Sequence, residues 1–378
     1  MKFIAVKLFC YLFIITLFAA STSADEPAVD PKDKLIVETV LRLKSFDLES
    51  SAKGKAAVIR YLKAQPGTDQ YFELIERFKP IEIVDDLAVF SLQHSTETSG
   101  VRGAELLFSM QHQKTLLEAI GGKDPVQAVA AVTLIGHAGG KRTPKLLMPL
   151  ISEGKASLAV RTAAVTAVGR TVDGQHALLE LVTSGELAND LTFAAANILL
   201  SSTKAAIKSE AAKHLQLPAT ADAQPLPTVA ELVKRLGDVA NGAGVFQKKN
   251  MCIVCHKVKG EGKDVGPDLS EIGSKLSREA MYVSILDPSA AISHNYESYA
   301  AVTDDGLVIV GLLVSETDES LTLRTQDGIT KKLAKASLDE YEKLKVSLMP
   351  QDLQKLLTVQ ELVDLVEYLL TLRKVSAP

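Results

Sequence analysis

Apolar residues return every three or four positions along most of the first half of the chain. Residues 35–43, 56–62 and 71–78 give the clearest examples, with polar residues at the positions between. This spacing places the apolar side chains on one face of a helix. The pattern therefore predicts helices throughout residues 32–216. Aromatic residues are scarce, at 5% of the chain with no Trp, which agrees with a fold of packed helices.

One short apolar motif occurs three times within this helical part. Residues 129–136 are similar to residues 162–169, and residues 193–200 form a weaker third copy. Gly136 and Gly169 end the first two copies and lie 33 residues apart. A fixed period of about this length is typical of stacked helical units that share a continuous core.

Each of the first two copies is followed by a turn signal and a second apolar segment. The turn signals are residues 139–140 (Gly-Gly) and 173–174 (Asp-Gly), and the second segments cover residues 146–151 and 177–182. Small residues on one helix of each pair allow neighbouring helices to approach closely. We therefore predict a HEAT-like α-solenoid over residues 32–216, with an irregular helical bundle as the alternative.

A different pattern begins after a Pro- and Ala-rich stretch, residues 217–228, which we interpret as a linker and domain boundary. Beyond it, helical and strand periods alternate, and Asp-Gly pairs stand at hairpin positions. The predicted helices cover residues 229–246, 269–275, 278–286, 337–345 and 359–373, and the predicted strands cover residues 296–303, 307–314, 320–326 and 329–333. The chain is therefore predicted to be mainly α, with a small antiparallel β insert at about residues 295–334.

A Cys-x-x-Cys-His motif, formed by Cys252, Cys255 and His256, follows the first helix of this second part. This spacing is the attachment signature of a c-type haem. Two thiols on one turn can form thioethers with the two vinyl groups of the porphyrin, and the adjacent imidazole can then bind the iron. The motif predicts one covalent haem c on Cys252 and Cys255, with His256 as the proximal ligand.

Three further residues are candidates for orienting His256 or completing the iron site. Pro267 offers a backbone carbonyl that could accept the other imidazole N–H of His256. Met349 precedes a proline in a non-helical stretch, which suits a loop that delivers a thioether to iron, although Met also fills gaps in apolar cores. His294, in the loop before the first strand, is the rival ligand.

The first residues of the chain have the pattern of an export signal. A lysine-containing start precedes an apolar run at residues 8–20, and small residues follow up to Ala24. We predict a signal peptide over residues 1–24, cleaved after Ala24, and a periplasmic or otherwise exported protein. The alternative is an uncleaved membrane anchor, for which the run is short against the roughly 20 residues of a bilayer span.

Loss of the signal peptide changes the number of cysteines. Cys10 lies inside the apolar run rather than at its end, which argues against a lipid-modified cysteine there. The mature chain then keeps only Cys252 and Cys255, so it has no disulfide framework. An exported chain whose only thiols precede a histidine is in the compartment where haem is attached covalently, and the two predictions support each other.

Other classes of function receive little support. The net charge of −4 does not indicate a nucleic-acid-binding protein. No Gly-x-Ser-x-Gly, phosphate-loop or His-Glu-x-x-His motif occurs, so we expect an electron carrier rather than an enzyme. Two alternatives stay open: a haem enzyme of peroxidase type with an open iron site, and a zinc or thiol module that uses Cys252, Cys255 and His256. No second cysteine pair is present to complete a structural zinc site.

Residues 229–378 resemble a haem-binding family of c-type cytochrome domains in exported bacterial proteins, in which a small β insert interrupts the cytochrome fold. The matching motifs, besides the haem motif, are residues 244–246 (GVF), 266–269 (GPDL), 287–289 (DPS), 305–306 (DG) with Gly311, 347–350 (SLMP) and 361–369 (ELVDLVEYL). Domains of that family are often fused to other modules, including helical repeats, which agrees with the first half of this chain.

The resemblance implies that His256 and Met349 are the axial pair, and that a first helix near residues 232–239 packs across the last helix. His/Met ligation saturates the iron, which favours electron transfer over peroxide chemistry. We expect the helical repeats to dock a redox protein partner, such as a dehydrogenase or another cytochrome. Five lysines around the motif could steer an acidic partner, or could form an ordinary solvated face: Lys248, Lys249, Lys257, Lys259 and Lys263.

Overall fold

The computed structural model describes residues 29–215, 219–248 and 251–374. They belong to two compact units, one ending at Pro66 and the other beginning at Gly67. The predicted signal peptide, residues 1–24, lies outside the described ranges. None of the helices within those ranges is both long and apolar enough to cross a membrane.

The first unit contains helices α1 (Pro31–Arg42) and α2 (Ala52–Ala64), which pack against each other. Asp30 accepts a hydrogen bond from the first turn of α1, and Ser51 does the same for α2. Such caps satisfy N–H groups that a helix leaves without a partner. Val37 and Leu62 are fully buried in this unit.

The second unit begins with a long run of helices, and the mainly helical character predicted for the chain is confirmed. These helices are α3 (Asp69–Phe78), α4 (Val84–Gln93), α5 (Thr98–Ser109), α6 (Lys114–Ile120), α7 (Pro125–Ala138), α8 (Thr143–Ser152), α9 (Leu158–Val168), α10 (Val172–Thr183), α11 (Thr192–Leu200) and α12 (Ala205–His214).

The three copies of the repeated motif lie in α7, α9 and α11, and these helices contact one another in that order. A Cβ atom added at Gly136 would lie 2.6 Å from the Cβ of Ala167, and one added at Gly169 would collide with the side chain of Ile198. A larger residue at either glycine would therefore force neighbouring copies apart. The glycines at the ends of the motifs set the distance between the helices.

Only one of the two predicted turn signals is a turn. Gly140 begins a 3₁₀ turn, Gly140–Arg142, that joins α7 to α8. The Asp-Gly pair at residues 173–174 instead lies in the first turn of α10, where the hydroxyl of Thr171 accepts a hydrogen bond from the backbone N–H of Gly174. A side-chain cap, with Asp173 near the helix N-terminus, favours helix initiation over a turn.

The part of the second unit around the Cys-x-x-Cys-His motif contains short helices, a two-stranded ribbon and a longer final helix. They are α13 (Val229–Leu232), α14 (Val239–Gln247), β1 (Lys257–Val258), β2 (Glu261–Gly262), α15 (Ile272–Lys275), α16 (Arg278–Leu286) and α17 (Val359–Thr371). The predicted helix over residues 269–275 is therefore shorter than expected, whereas α16 has the predicted bounds.

The prediction of a single helix over residues 229–246 is wrong, because the helical conformation is interrupted between α13 and α14. Asp238 caps α14, and its backbone N–H is bound 2.8 Å from the Asp364 carboxylate of α17. A Cβ at Gly237 would lie 2.7 Å from the Val363 carbonyl oxygen, so the non-helical segment between α13 and α14 packs directly against α17. Contacts with α17 thus override the helical periodicity of this stretch.

The crossing helices are consequently α14 and α17, not a helix at residues 232–239. Gly242 of α14 leaves no room for a side chain, since an added Cβ would collide with the Asp364 carbonyl. One turn further, the rings of Phe246 and Tyr368 pack with centroids 5.8 Å apart. Glycine followed by an aromatic residue on the same face lets the two helices cross closely.

The β insert is a five-stranded antiparallel sheet with the strand order β6-β5-β4-β3-β7. Its hairpin turns at Gly306 and Gly328 have φ values of +76° and +86°, which glycine adopts without strain. The strands are β3 (Glu297–Thr303), β4 (Val308–Glu316), β5 (Ser320–Thr325), β6 (Thr330–Ala334) and β7 (Leu338–Ser347).

The helix predicted for residues 337–345 is wrong, because this segment is strand β7. Its charged residues favour a helix locally, but β3 presents a second edge whose backbone groups need partners. β7 pairs with that edge, with Ala301 opposite Tyr341, and the rings of Tyr299 and Tyr341 stack with centroids 5.8 Å apart. The insert therefore extends to Ser347 instead of ending near residue 334.

Candidate haem site

The Cys-x-x-Cys-His motif forms a tight turn at the end of the loop after α14. Residues Cys252–Val254 are a 3₁₀ helix, and the backbone N–H groups of Cys255 and His256 both donate to the carbonyl of Cys252, at 3.1 and 2.9 Å. Both thiols and the imidazole therefore belong to one turn of the backbone. The local conformation suits two adjacent attachment points on one planar group.

The chain after the motif folds back onto this turn. The backbone N–H groups of Val265 and Gly266 donate to the Cys255 carbonyl at 3.0 and 2.7 Å, and that of Lys263 donates to the Ile253 carbonyl at 3.1 Å. Gly262 makes the return possible, because it has φ +103° and a Cβ there would collide with the His256 carbonyl. The motif is thus held by backbone bonds on both sides.

His256 is fixed through one of its two ring nitrogens. Its Nδ1 donates to the carbonyl oxygen of Pro267 at 2.7 Å, and a Cβ added at Gly266 would lie only 2.5 Å from the ring atom Cε1. Burial lowers the pKa of His256, and the Pro267 carbonyl opposes this shift in part. The ring is therefore neutral near pH 7, with its proton on Nδ1 and the lone pair on Nε2.

Both cysteines of the motif are free thiols. Burial raises the pKa of Cys252 to about 11. Burial also raises the pKa of Cys255, although nearby Lys263 opposes the shift. The Sγ of Cys255 donates to the backbone carbonyl of Gln326 at 3.6 Å, in the turn between β5 and β6. Both thiols are consequently protonated near neutral pH, and one contacts the insert.

The motif stands beside an apolar core built by α14, α16 and α17. Cys252, Ile253 and Leu269 pack against this core from the motif and the loop after it. Fully or nearly fully buried members include Val245, Phe246, Met281, Tyr282, Leu362, Val363 and Val366. An apolar environment of this kind excludes water from a planar aromatic cofactor.

Met349 packs against the same core as Cys252. It lies just after β7, where its backbone N–H donates to the hydroxyl of Ser347 at 3.1 Å, and the N–H of Ser347 donates in turn to Ser289 at 3.1 Å. The rival ligand His294 is on the surface, with 89% of its side chain exposed and its ring 3.8 Å from Glu297. Of these two candidates, only Met349 shares the apolar surroundings of the motif.

Two of the lysines near the motif lie beside carboxylates, and a third is bound to a backbone carbonyl. Lys248 pairs with Glu361, Lys257 lies 3.6 Å from Asp264, and Lys263 donates to the Asp327 carbonyl at 3.0 Å. Lys249 lies outside the described residues. The lysines therefore form a less concentrated positive surface than the sequence suggests.

A metal-binding cluster of another kind is not apparent in the described part of the chain. No group of three or more His, Cys, Asp or Glu side chains there is placed to hold a metal ion. The zinc alternative, which needs Cys252, Cys255 and His256 to converge on one ion, receives no support from this geometry.

One set of charged residues near the motif was not predicted from the sequence. Asp327, in the turn that touches Cys255, accepts hydrogen bonds from Arg170 at 2.6 Å and from His137 at 2.9 Å. These partners belong to the helical part and are 157 and 190 residues away in the sequence. The only local signal was the Asp-Gly pair, which indicated a turn and nothing about its partners.

Comparison with known proteins supports the haem interpretation. Residues 239–304 match the family model described as Cytochrome c. The matched segment contains the whole Cys-x-x-Cys-His motif and Pro267, and it ends before Met349. No curated protein matches the chain. The match supports a c-type cytochrome domain in this part of the chain, and with it a covalent haem c and a function in electron transfer.

Proposed function

We propose that the protein is an exported c-type cytochrome that carries one haem c and relays electrons to or from a redox protein partner. The observation that carries this proposal is the fixed imidazole of His256. Its Nδ1 is bound to the Pro267 carbonyl, 2.7 Å away, on the turn that also bears Cys252 and Cys255. The remaining nitrogen, Nε2, is then the one available to bind iron.

The side chains of the site fit a covalent haem. Cys252 and Cys255 would hold the porphyrin through thioethers, and His256 and Met349 would be the axial ligands. When bound, the haem supplies reversible one-electron chemistry. The apolar core against which Cys252 and Met349 both pack suits the porphyrin, and the thioether of Met349 is a suitable ligand in such surroundings.

The chain's own residues would orient the site and keep water away from it. The Pro267 carbonyl holds the proton on Nδ1 of His256, which fixes the tautomer and increases the basicity of Nε2. Close contact with Gly266 limits rotation of the ring. Two protein ligands would leave no open position for peroxide, so the proposed activity is electron relay and not peroxide reduction.

We further propose that α7 to α12 form HEAT-like repeats and that the solenoid extends over residues 32–216. The recurring contacts of Gly136 with Ala167 and of Gly169 with Ile198 support a repeated packing unit. A solenoid offers an extended surface, and its proposed role is to dock the redox partner. Lysines beside the motif, such as Lys259, would contribute to attraction of an acidic partner.

Export is proposed on the basis of the N-terminal pattern and the chemistry of the motif. Covalent haem attachment to a Cys-x-x-Cys-His motif takes place in the compartment to which such signal peptides lead. A mature chain with no cysteines other than Cys252 and Cys255 agrees with this location.

A redox absorbance spectrum with a pyridine haemochrome assay tests the proposal. The full chain is produced in a host with c-type haem maturation, and the expected result is a c-type spectrum that survives acid extraction. The oxidised protein should show a sulfur-to-iron charge-transfer band, and Met349→Ala should abolish the band and lower the midpoint potential by a fraction of the roughly 0.8 V that axial ligands span.

Two outcomes contradict different parts of the proposal. A colourless protein from that host, or one whose haem is removed by acid, contradicts covalent attachment. An unchanged band and potential in Met349→Ala contradict Met349 as a ligand and favour a haem with a different or open second position.

A further inference from the structure

The turn between β5 and β6 lies between the haem motif and the helical part of the second unit. On one side, the carbonyl of Gln326 accepts a hydrogen bond from Sγ of Cys255 at 3.6 Å, and the carbonyl of Asp327 accepts one from Nζ of Lys263 at 3.0 Å. On the other side, the Asp327 carboxylate is directed to the helices. Consecutive residues of one turn thus contact two distant parts of the chain.

The Asp327 carboxylate has partners on both of its oxygens. Oδ2 accepts from Nη2 of Arg170 at 2.6 Å and from Nε2 of His137 at 2.9 Å, and Oδ1 accepts from the hydroxyl of Thr325. Arg170 follows the end of α9, and His137, which is 2% exposed, lies in the last turn of α7. Charge-assisted bonds of this kind are short and directional, so they fix the position of the turn.

A second charged residue of the insert is anchored to the same helices. Lys331 of β6 is 7% exposed, and its Nζ donates to Glu105 of α5 and to the His137 carbonyl, both at 2.7 Å. A buried charge is costly unless it is paired and hydrogen-bonded. The pairing of Lys331 with Glu105 and the His137 carbonyl indicates a defined contact between the insert and the helices.

Backbone bonds join the other hairpin of the insert to the helices as well. The N–H of Val308 donates to the Arg170 carbonyl at 2.7 Å, and the N–H of Val172 donates to the Gly306 carbonyl at 3.2 Å. Arg170 therefore contacts the insert through both its side chain and its backbone. Both hairpin turns of the insert thus contact the ends of these helices.

We propose that Asp327 is a positioning residue: held by Arg170 and His137, it keeps the turn at Gln326 against the sulfur of Cys255, so that the helical part covers this side of the haem attachment. The free thiol donates a hydrogen bond to the Gln326 carbonyl, and a thioether sulfur, which has no S–H, would keep only the packing contact. The statement about the haem rests on the proposed function, whereas the statement about the thiol does not. Without the anchor, the turn would leave Cys255 and expose the neighbouring haem edge to water.

The part of the proposal that concerns the Cys255 thiol is tested on the haem-free full chain. The alkylation rates of Cys252 and Cys255 are measured separately by peptide mass spectrometry. Asp327→Asn removes the charge that binds Arg170 and is expected to increase alkylation of Cys255 by roughly tenfold, because the partly buried carboxylate loses its charge-assisted hydrogen bond. The Asp327 charge also raises the pKa of Cys255, so part of this increase would arise without movement of the turn. The rate at Cys252, which faces the apolar core, should stay the same.

Asp305→Asn is the matched control, because Asp305 also precedes a turn glycine and accepts a hydrogen bond from Thr303, as Asp327 does from Thr325. Both alkylation rates should be unchanged in this variant. Arg170→Gln removes the anchor from the helical side and should also increase alkylation of Cys255. Because loss of a cation cannot lower the pKa of a thiol, an increase in this variant reports movement of the turn. Circular dichroism of each variant shows whether the fold is retained.

Equal alkylation rates at Cys255 in the wild type and in folded Arg170→Gln would overturn the proposal, and so would an equal increase at Cys252 and Cys255. In the haem-loaded protein, loss of the Asp327 charge alone would raise the midpoint potential, whereas entry of water lowers it by stabilising the charged oxidised haem. A lower potential in Asp327→Asn than in Asp305→Asn, without a change in the ligand bands, is therefore expected, and an equal or higher potential would contradict the statement about the haem. Failure to load haem would contradict the proposed function alone, since the alkylation rates are measured without haem.

Discussion

At the scale of single residues, the haem motif shows what a sequence can reveal directly. Cys252, Cys255 and His256 are recognisable because their spacing is itself the requirement of the chemistry. The sequence predicts the Pro267 carbonyl as the acceptor for the imidazole, and the structure contains that hydrogen bond at 2.7 Å. The sequence also predicts Met349 from its proline neighbour, and its role as an iron ligand stays a prediction.

The residues around Asp327 could not be inferred in the same way. His137 and Arg170 are separated from it by 190 and 157 positions, and neither is part of a recognisable motif. Their proximity depends on how the helices and the insert pack, which local periodicity does not specify. A charged residue in a turn is normally solvated, and only the three-dimensional contact distinguishes this one.

The titration of His137 gives a prediction at this scale. Burial, and then the charge of Arg170, lower the pKa of His137 from 6.5 to about 4. The folded protein therefore keeps this ring neutral, while the unfolded chain binds a proton near pH 6.5. Its contribution to stability is complete above that pH and is lost as the pH falls toward about 4, with about 2 kcal/mol lost between about pH 7 and pH 5.

Denaturant unfolding of the wild type and of His137→Gln across this pH range measures the effect. Gln retains an N–H donor for Asp327 but does not titrate, so its stability curve should be flatter by about 2 kcal/mol. Burial alone would raise the pKa of Asp327, but Arg170 and His137 lower it overall, so Asp327 titrates below this range. Parallel curves for the two proteins would show that His137 is not held neutral.

At the scale of secondary-structure elements, the predictions succeed where local and tertiary preferences agree. The last helix and the first four strands of the insert lie close to the predicted positions, because their apolar periodicity matches the surface that they bury. Residues 338–347 were predicted as a helix but form β7, since the open edge of β3 outweighs a charged, helix-favouring sequence.

The crossing of α14 and α17 gives a prediction for a pair of glycines on one helix. Gly242 faces the backbone of Asp364, whereas a Cβ at Gly244 would meet no atom within 4 Å. Gly242→Ala should therefore destabilise the folded protein by about 1–3 kcal/mol or more through overpacking. Gly244→Ala should be neutral or stabilise by up to about 1 kcal/mol, because alanine favours the helix.

Free energies of unfolding from denaturant titration provide the comparison. The two variants change the same residue type two positions apart in α14, so differences in helix propensity cancel between them. A similar free energy for both variants would mean that α14 and α17 do not cross at Gly242.

At the scale of the whole molecule, composition and motifs indicated a helical first half and a haem-bearing second half. They did not indicate that the insert joins the two. From Gly67 onward the chain is one compact unit, and the predicted linker at residues 217–228 lies within it. Part of that stretch is packed, since Thr220 is 1% exposed and the Ala221 N–H donates to the Leu357 carbonyl at 2.9 Å. The domain boundary at this stretch stays a prediction.

The central claim is tested most directly by the intact mass of the mature protein. The protein is purified from a host with c-type haem maturation, and its mass is measured after acid denaturation. We expect one species that begins at Asp25 and is heavier than its polypeptide by one haem, and a Cys252→Ser/Cys255→Ser variant that lacks the added mass. A polypeptide mass without haem, produced by a host that matures other c-type cytochromes at the same time, would contradict the account.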